Sequence, residues 1–169
     1  MNVEEAITTA IHLENIVMRF YQKHVERLTS TIAQNIFRIL ANEEAEHIEF
    51  LENQRDLWQM CGKVDVGQLK TAIPDKTAID NMLNQMNVQT EEADLETELE
   101  IFKQALSWEK RITQFYSDLV NSLETNDKAF FEGFLDIEAY HEELIQAEIS
   151  GAVGSGVWFD FMEFDQETG

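Results

Sequence analysis

The sequence predicts an all-α fold, a bundle of four long helices arranged as two antiparallel hairpins. Three observations lead there. Apolar residues recur on seven-residue rows over four long segments, and such rows are the seams of helix bundles. Only one proline, Pro74, interrupts 169 residues. Short polar turns separate the first segment from the second and the third from the fourth, which makes each pair fold back on itself.

The first helix is expected over about Val3–Leu28, with Val3, Ala10 and Val17 on one row and Ile7, Tyr21 and Leu28 on its companion. Thr29-Ser30-Thr31 supplies a cap for the second, expected over Thr31–Met60, where Phe37, Leu51 and Trp58 share a row and Ala33 and Leu40 another. The third, about Asp94–Leu123, carries Leu95, Phe102, Tyr116 and Leu123 in register. The fourth, about Asp127–Ile149, offers Phe131 and Ile145 after a cap within Thr125-Asn126-Asp127. Between the hairpins a polar stretch from about Gly62 to Glu92, with a short helix near Thr77–Met86, is long enough to cross over the length of the bundle. The bundle domain is therefore expected over 1–149. Residues 150–169 are expected to form a flexible Gly/Ser break and an aromatic tail, which docks on its own domain or on a sister subunit.

Composition narrows the function classes. Twelve basic residues against 33 acidic ones leave a formal net charge of −21, which disfavours nucleic acid and anionic membranes as partners and attracts cations. A lone cysteine, Cys61, forms no internal disulfide and no four-cysteine iron site. The acidic opening Met-Asn-Val-Glu-Glu lacks the layout of a signal peptide, and no apolar run approaches the roughly 20 residues of a membrane span. A cytoplasmic protein is expected.

The seams contain an anomaly. Glutamate interrupts the apolar rows at Ile7-Glu14-Tyr21, Phe37-Glu44-Leu51, Phe102-Glu109-Tyr116 and Phe131-Glu138-Ile145, while His47 and His141 share rows with Leu40 and Phe134. Four carboxylates taken out of water without partners would each cost several kcal/mol, on the order of the penalty for any buried lone ion. Either these seams are misassigned, or something cationic sits among these residues. Glu44 and His47 are three apart, as are Glu138 and His141, so each pair leaves one helix face. Glu14 and Glu44 each stand fifteen residues from the first turn, about 22 Å along their helices at ~1.5 Å per residue. Glu109 and Glu138 are nearly equidistant from the second turn. All six side chains thus converge on one level as candidate metal ligands. The hairpins also repeat: Glu14 precedes Phe20 and Tyr21 at the offsets by which Glu109 precedes Phe115 and Tyr116, and Glu44-Ala45-Glu46-His47 aligns with Glu138-Ala139-Tyr140-His141. His12 and His24 have no such support and are read as surface or satisfied core residues. Tyr140 is read as a packing residue and Asp136 as a weaker candidate for orienting a ligand histidine.

One Glu on each of two helices with Glu-x-x-His on each of the other two resembles the ligand pattern of ferritin-like di-iron carboxylate proteins. The resemblance spans Met1 to Ile149 and is strongest to the rubrerythrin-like branch and to bacterioferritin. It implies two iron ions per chain, with manganese as the alternative. By it, Glu44 and Glu138 would bridge, Glu14 and Glu109 would be terminal ligands, and His47 and His141 would bind one metal each. Three departures bear on activity, the first being that the lone Cys61 leaves no rubredoxin domain of the kind typical rubrerythrins carry. Ile112 stands where rubrerythrins carry a further glutamate, and Ala45 and Glu46 occupy the place of a haem-binding methionine, so no haem is expected. The ligand set resembles a bacterioferritin ferroxidase centre. The implied activity is an oxidoreductase acting on O2 or H2O2, with an external electron donor and a homodimeric or larger homo-oligomeric assembly. The alternatives are iron storage, and a non-catalytic acidic bundle that binds a partner through its tail.

Overall fold

The computed structural model describes residues 1–67, 69–85, 94–123 and 127–159, with the backbone alone at 82–85. Every regular element among them is helical: α1 (Val3–Val25), α2 (Thr31–Cys61), α3 (Lys76–Gln85), α4 (Leu95–Ser122) and α5 (Lys128–Ser155). The most extensive packing is between α1 and α2 and between α4 and α5, while α1 also meets α4 and α3 rests on α5. No described helix is long and apolar enough to cross a membrane.

Local chemistry sets the ends. Asn2 and Glu5 cap α1 reciprocally: the Asn2 side chain accepts the Glu5 N–H at 2.9 Å, and Glu5 accepts the Asn2 N–H at 3.0 Å. This helix stops at Val25, three residues short of the expected Leu28, yet Leu28 is buried. Its side chain reaches the core from the turn, so the apolar row outruns the helical backbone. Ser30 caps α2 by accepting the Ala33 N–H at 3.2 Å. At the far end Gly62 adopts φ 66°, a left-handed conformation that favours glycine, and its N–H reaches the Trp58 carbonyl at 2.7 Å. Asp94 caps α4 through Thr97 at 3.4 Å. Asp127 precedes α5 but makes no side-chain capping bond, and Thr125 and Asn126 lie outside the described residues.

The C-terminal boundary needs correction. Residues 150–155 are not a flexible break but the last turns of α5, which closes on Gly156 at φ 80°. Ala152 is fully buried, and the Ser150 and Ser155 hydroxyls bond back to the Gln146 and Gly151 carbonyls at 2.8 and 2.7 Å, so both polar side chains are satisfied within the helix. Gly151 has a packing role: a Cβ there would lie 2.0 Å from the Phe159 ring. The bare backbone lets the chain fold back. Trp158 stacks on Phe102 with ring centroids 4.0 Å apart and donates its indole N–H to Glu98 at 2.6 Å. As far as Phe159 the tail docks on its own domain. The expected aromatics Phe161 and Phe164 lie outside the described residues.

Candidate metal centre

α1 contributes Glu14, α2 Glu44 and His47, α4 Glu109, and α5 Glu138 and His141. Five of the six are fully buried and His47 is 1 % exposed. Their ligand atoms form two overlapping groups, Glu14–Glu44–His47–Glu138 and Glu44–Glu109–Glu138–His141, each with its atoms within 4.8 Å of one another. His47 Nδ1 lies 3.2 Å from Glu44 and from Glu138 and 3.6 Å from Glu14. His141 Nδ1 lies 3.1 Å from Glu44, 3.7 Å from Glu138 and 3.8 Å from Glu109. The two imidazoles are nearly parallel, 9° apart with centroids at 5.5 Å. Both rings therefore turn Nδ1 towards the shared carboxylates.

Two tyrosines complete the arrangement. Tyr116 on α4 donates to Glu14 on α1 at 2.5 Å, and Tyr21 on α1 donates to Glu109 on α4. The offset that carries Glu14 onto Glu109 also carries Tyr21 onto Tyr116, so the exchange is reciprocal. Sequence reading placed both tyrosines in the apolar rows and missed the hydroxyls, although the repeated seven-residue spacing was the available signal. Glu43 was missed as well. It is 6 % exposed, and its carboxylate stands 3.6 Å from His141 Nε2. Asp136, expected to orient a histidine, is exposed instead, because two residues before Glu138 is the outward face of the helix. His12 is exposed, and His24 is buried with Nδ1 2.8 Å from the Phe20 carbonyl, so neither joins the site. Tyr140 is half-buried against the core.

Burial dominates the electrostatics, and charge partners then separate the residues. Burial pushes the carboxyls of Glu14, Glu109 and Glu138 up, helped by the Glu44 charge and, for Glu14, still more by Glu138. For Glu44 burial acts in the same direction, but the His141 and His47 rings outweigh it and hold the carboxyl well below the usual range. Both histidines are raised: burial opposes their charge, and the surrounding carboxylates overcome it. Glu43 is lowered, since the His141 ring and donors from Thr71 and Ala72 outweigh its burial. The tyrosines are pushed up by burial and by the facing carboxylates, so they remain donors.

No protein-family model, curated protein or solved structure matches the chain. The site must be judged on its own chemistry. Each of the six residues keeps a buried side-chain nitrogen or oxygen with no hydrogen-bond partner among the described residues, which is rare in a folded interior. Hard carboxylate oxygens with imidazole nitrogens form a donor set for iron, manganese or zinc. These buried groups could hold metal ions.

Proposed function

We propose that the chain is a ferritin-like four-helix bundle, two antiparallel hairpins joined by a long crossover, that holds two metal ions and acts as a di-iron oxidoreductase towards O2 or H2O2. One observation carries the reading: the two ligand groups share Glu44 and Glu138 and nothing else. Glu44 and Glu138, common to both groups, would be shared by the two ions, with Glu14 and His47 completing one position and Glu109 and His141 the other. Four carboxylates carry the charge that two divalent cations neutralise, which removes the cost of burying them. A bound pair of Fe(II) ions supplies two electrons to a small oxidant.

The protein's own residues prepare that chemistry. Tyr116 takes up Glu14 Oε1, and Tyr21 takes up Glu109 Oε1. Each carboxylate is thereby turned so that Oε2 faces a histidine, at 3.6 Å and 3.8 Å respectively. Phe134, packed edge-on to His47 and stacked on Tyr116, lines one side of the site with hydrocarbon. A buried, preorganised pocket strengthens the charge interactions within it.

Anaerobic titration of the metal-free protein with Fe(II) should reach two equivalents per chain, and elemental analysis of protein purified without chelator should find iron. A single equivalent, or none, removes the two-metal reading, and manganese alone redirects the chemistry. Oxidation of the loaded Fe(II) on adding O2 or H2O2 supports the oxidoreductase; inertness to both removes it. Sedimentation separates that role from storage, since only a closed multi-subunit shell can enclose mineral.

A further inference from the structure

The ligands repeat between the hairpins, but what stands behind them does not. A shift of 94 residues carries Glu44 onto Glu138, His47 onto His141 and Glu43 onto Ile137. Glu43 is anchored at one oxygen by the Ala72 N–H at 2.9 Å, while the other lies 3.6 Å from His141 Nε2. An imidazole that presents Nδ1 to a metal carries its proton on Nε2, and a carboxylate facing that proton fixes the ring and makes it a stronger donor. Neither histidine Nε2 makes a hydrogen bond among the described residues, but the Glu43 carboxylate stands 3.6 Å from that of His141, whereas the repeat-related position holds the hydrocarbon of Ile137. His47 also borders a surface cavity of about 210 Å³ lined by Glu46, Phe50, Leu69 and Lys70. No hydrogen bond among the described residues braces that ring at Nε2, and the cavity reaches its edge.

We propose that Glu43 is a positioning residue that makes the two metal positions unequal. The position formed with Glu109 and His141 is the tight one, and the position formed with Glu14 and His47, beside the cavity, is the exchangeable one. This rests on the two-metal reading. It identifies the order of loading: the His141 side fills first and the His47 side turns over.

The competing role is direct ligation, because Glu43, His47 and His141 also bring ligand atoms within 4.8 Å of one another. Anaerobic Co(II) titration of the full chain, followed by calorimetry and visible absorption, separates the two. The parent should bind two Co(II) in resolved steps, and a chelator should strip one quickly and the other slowly. Glu43→Ala should weaken the tighter step by about 10–100-fold, the usual effect of losing such a partner, and leave the weaker step in place. Glu43→Gln, which keeps an oxygen for its partners and so safeguards folding, should fall between. Equal shifts in both steps, or no shift in either variant, overturn the proposal. So do three equivalents in the parent that drop to two in the variants, which would make Glu43 a ligand. Fewer than two equivalents in the parent defeats the two-metal reading itself, and the proposal with it.

Discussion

At the scale of single residues, the four seam glutamates are not interchangeable. Glu44 lies 3.1 Å from His141 and 3.2 Å from His47, and its carboxyl is held low. Glu138 is raised by burial and by Glu44. Replacing Glu44 by Gln in the metal-free protein should therefore strand His141 without its main counter-charge and take one of three carboxylate partners from His47, and should cost about 3–5 kcal/mol, as for other broken buried pairs. Glu138→Gln imitates the protonated acid that the fold already favours, so its metal-free form should be as stable as the parent or more so. Urea melts of both metal-free variants test the contrast, and equal losses would refute it. The tyrosines permit a cleaner deletion, since Phe removes one oxygen and leaves the packing intact. Tyr21→Phe and Tyr116→Phe should each cost about 1–3 kcal/mol, the range for a hydrogen bond to a buried charged or polar group, and should cost alike because the exchange is reciprocal. Losing only one of the two effects would show the repeat to be superficial.

Among the elements, the tail is tied to the bundle by two buried carboxylates, Glu148, which accepts the Phe159 N–H at 2.9 Å, and Glu98, which accepts the Trp158 indole. Glu98, in the first turn of α4, accepts from the Thr29 and Ser30 backbone, the Thr29 hydroxyl and the Trp158 indole. It joins the α1–α2 turn, the start of α4 and the segment after α5 at one end of the molecule. The candidate metal ligands sit further along the helices. Trp158→Ala should therefore destabilise the chain by about 3–5 kcal/mol, the usual cost of deleting a large buried aromatic, without changing metal stoichiometry. Chemical denaturation with a parallel metal titration checks both halves. A lost metal equivalent would mean that the tail shapes the site rather than only bracing the fold.

The whole molecule should respond to pH through its site. Glu14, Glu109 and Glu138 are raised from an ordinary value near 4.5, and His47 and His141 from one near 6.5. A group with a raised folded-state pKa contributes its stability below the unfolded value and loses it as pH climbs towards the folded one. The metal-free protein should thus weaken as pH rises above about 4.5, as the glutamates ionise in the unfolded chain, and again above 6.5 through the histidines. Glu44 and Glu43 oppose this only below about 4.5, where the unfolded chain takes up protons that their lowered carboxyls in the fold do not. Bound metal replaces those protons, so the loaded protein should hold its stability over the same range, and loading should release protons to solvent. Thermal melts of both forms from pH 5 to 8 provide the measurement. Parallel curves would show that these carboxyls are not crowded in the fold.

Local periodicity and spacing made much of this legible from the chain alone. Order along a helix is rigid, so Glu-x-x-His on one face, and equal distances from a turn, set side chains at one level whatever packs beside them. All six candidate residues meet there in the fold. What the sequence could not determine are relations across helices and at chain ends. Glu43 reads as one more acid on α2 until the Thr71–Ala72 segment and His141 close around it. Tyr21 and Tyr116 read as apolar-row residues because only α1–α4 packing reveals what each hydroxyl reaches. The Gly/Ser stretch after Ile149 reads as a break by propensity, a weak preference that burial of Ala152 and the Phe159 ring against Gly151 overrides. Periodicity is a property of one helix, and one sequence can display it. Partnership between helices depends on how two surfaces are turned towards each other, and that orientation exists only once the chain is packed.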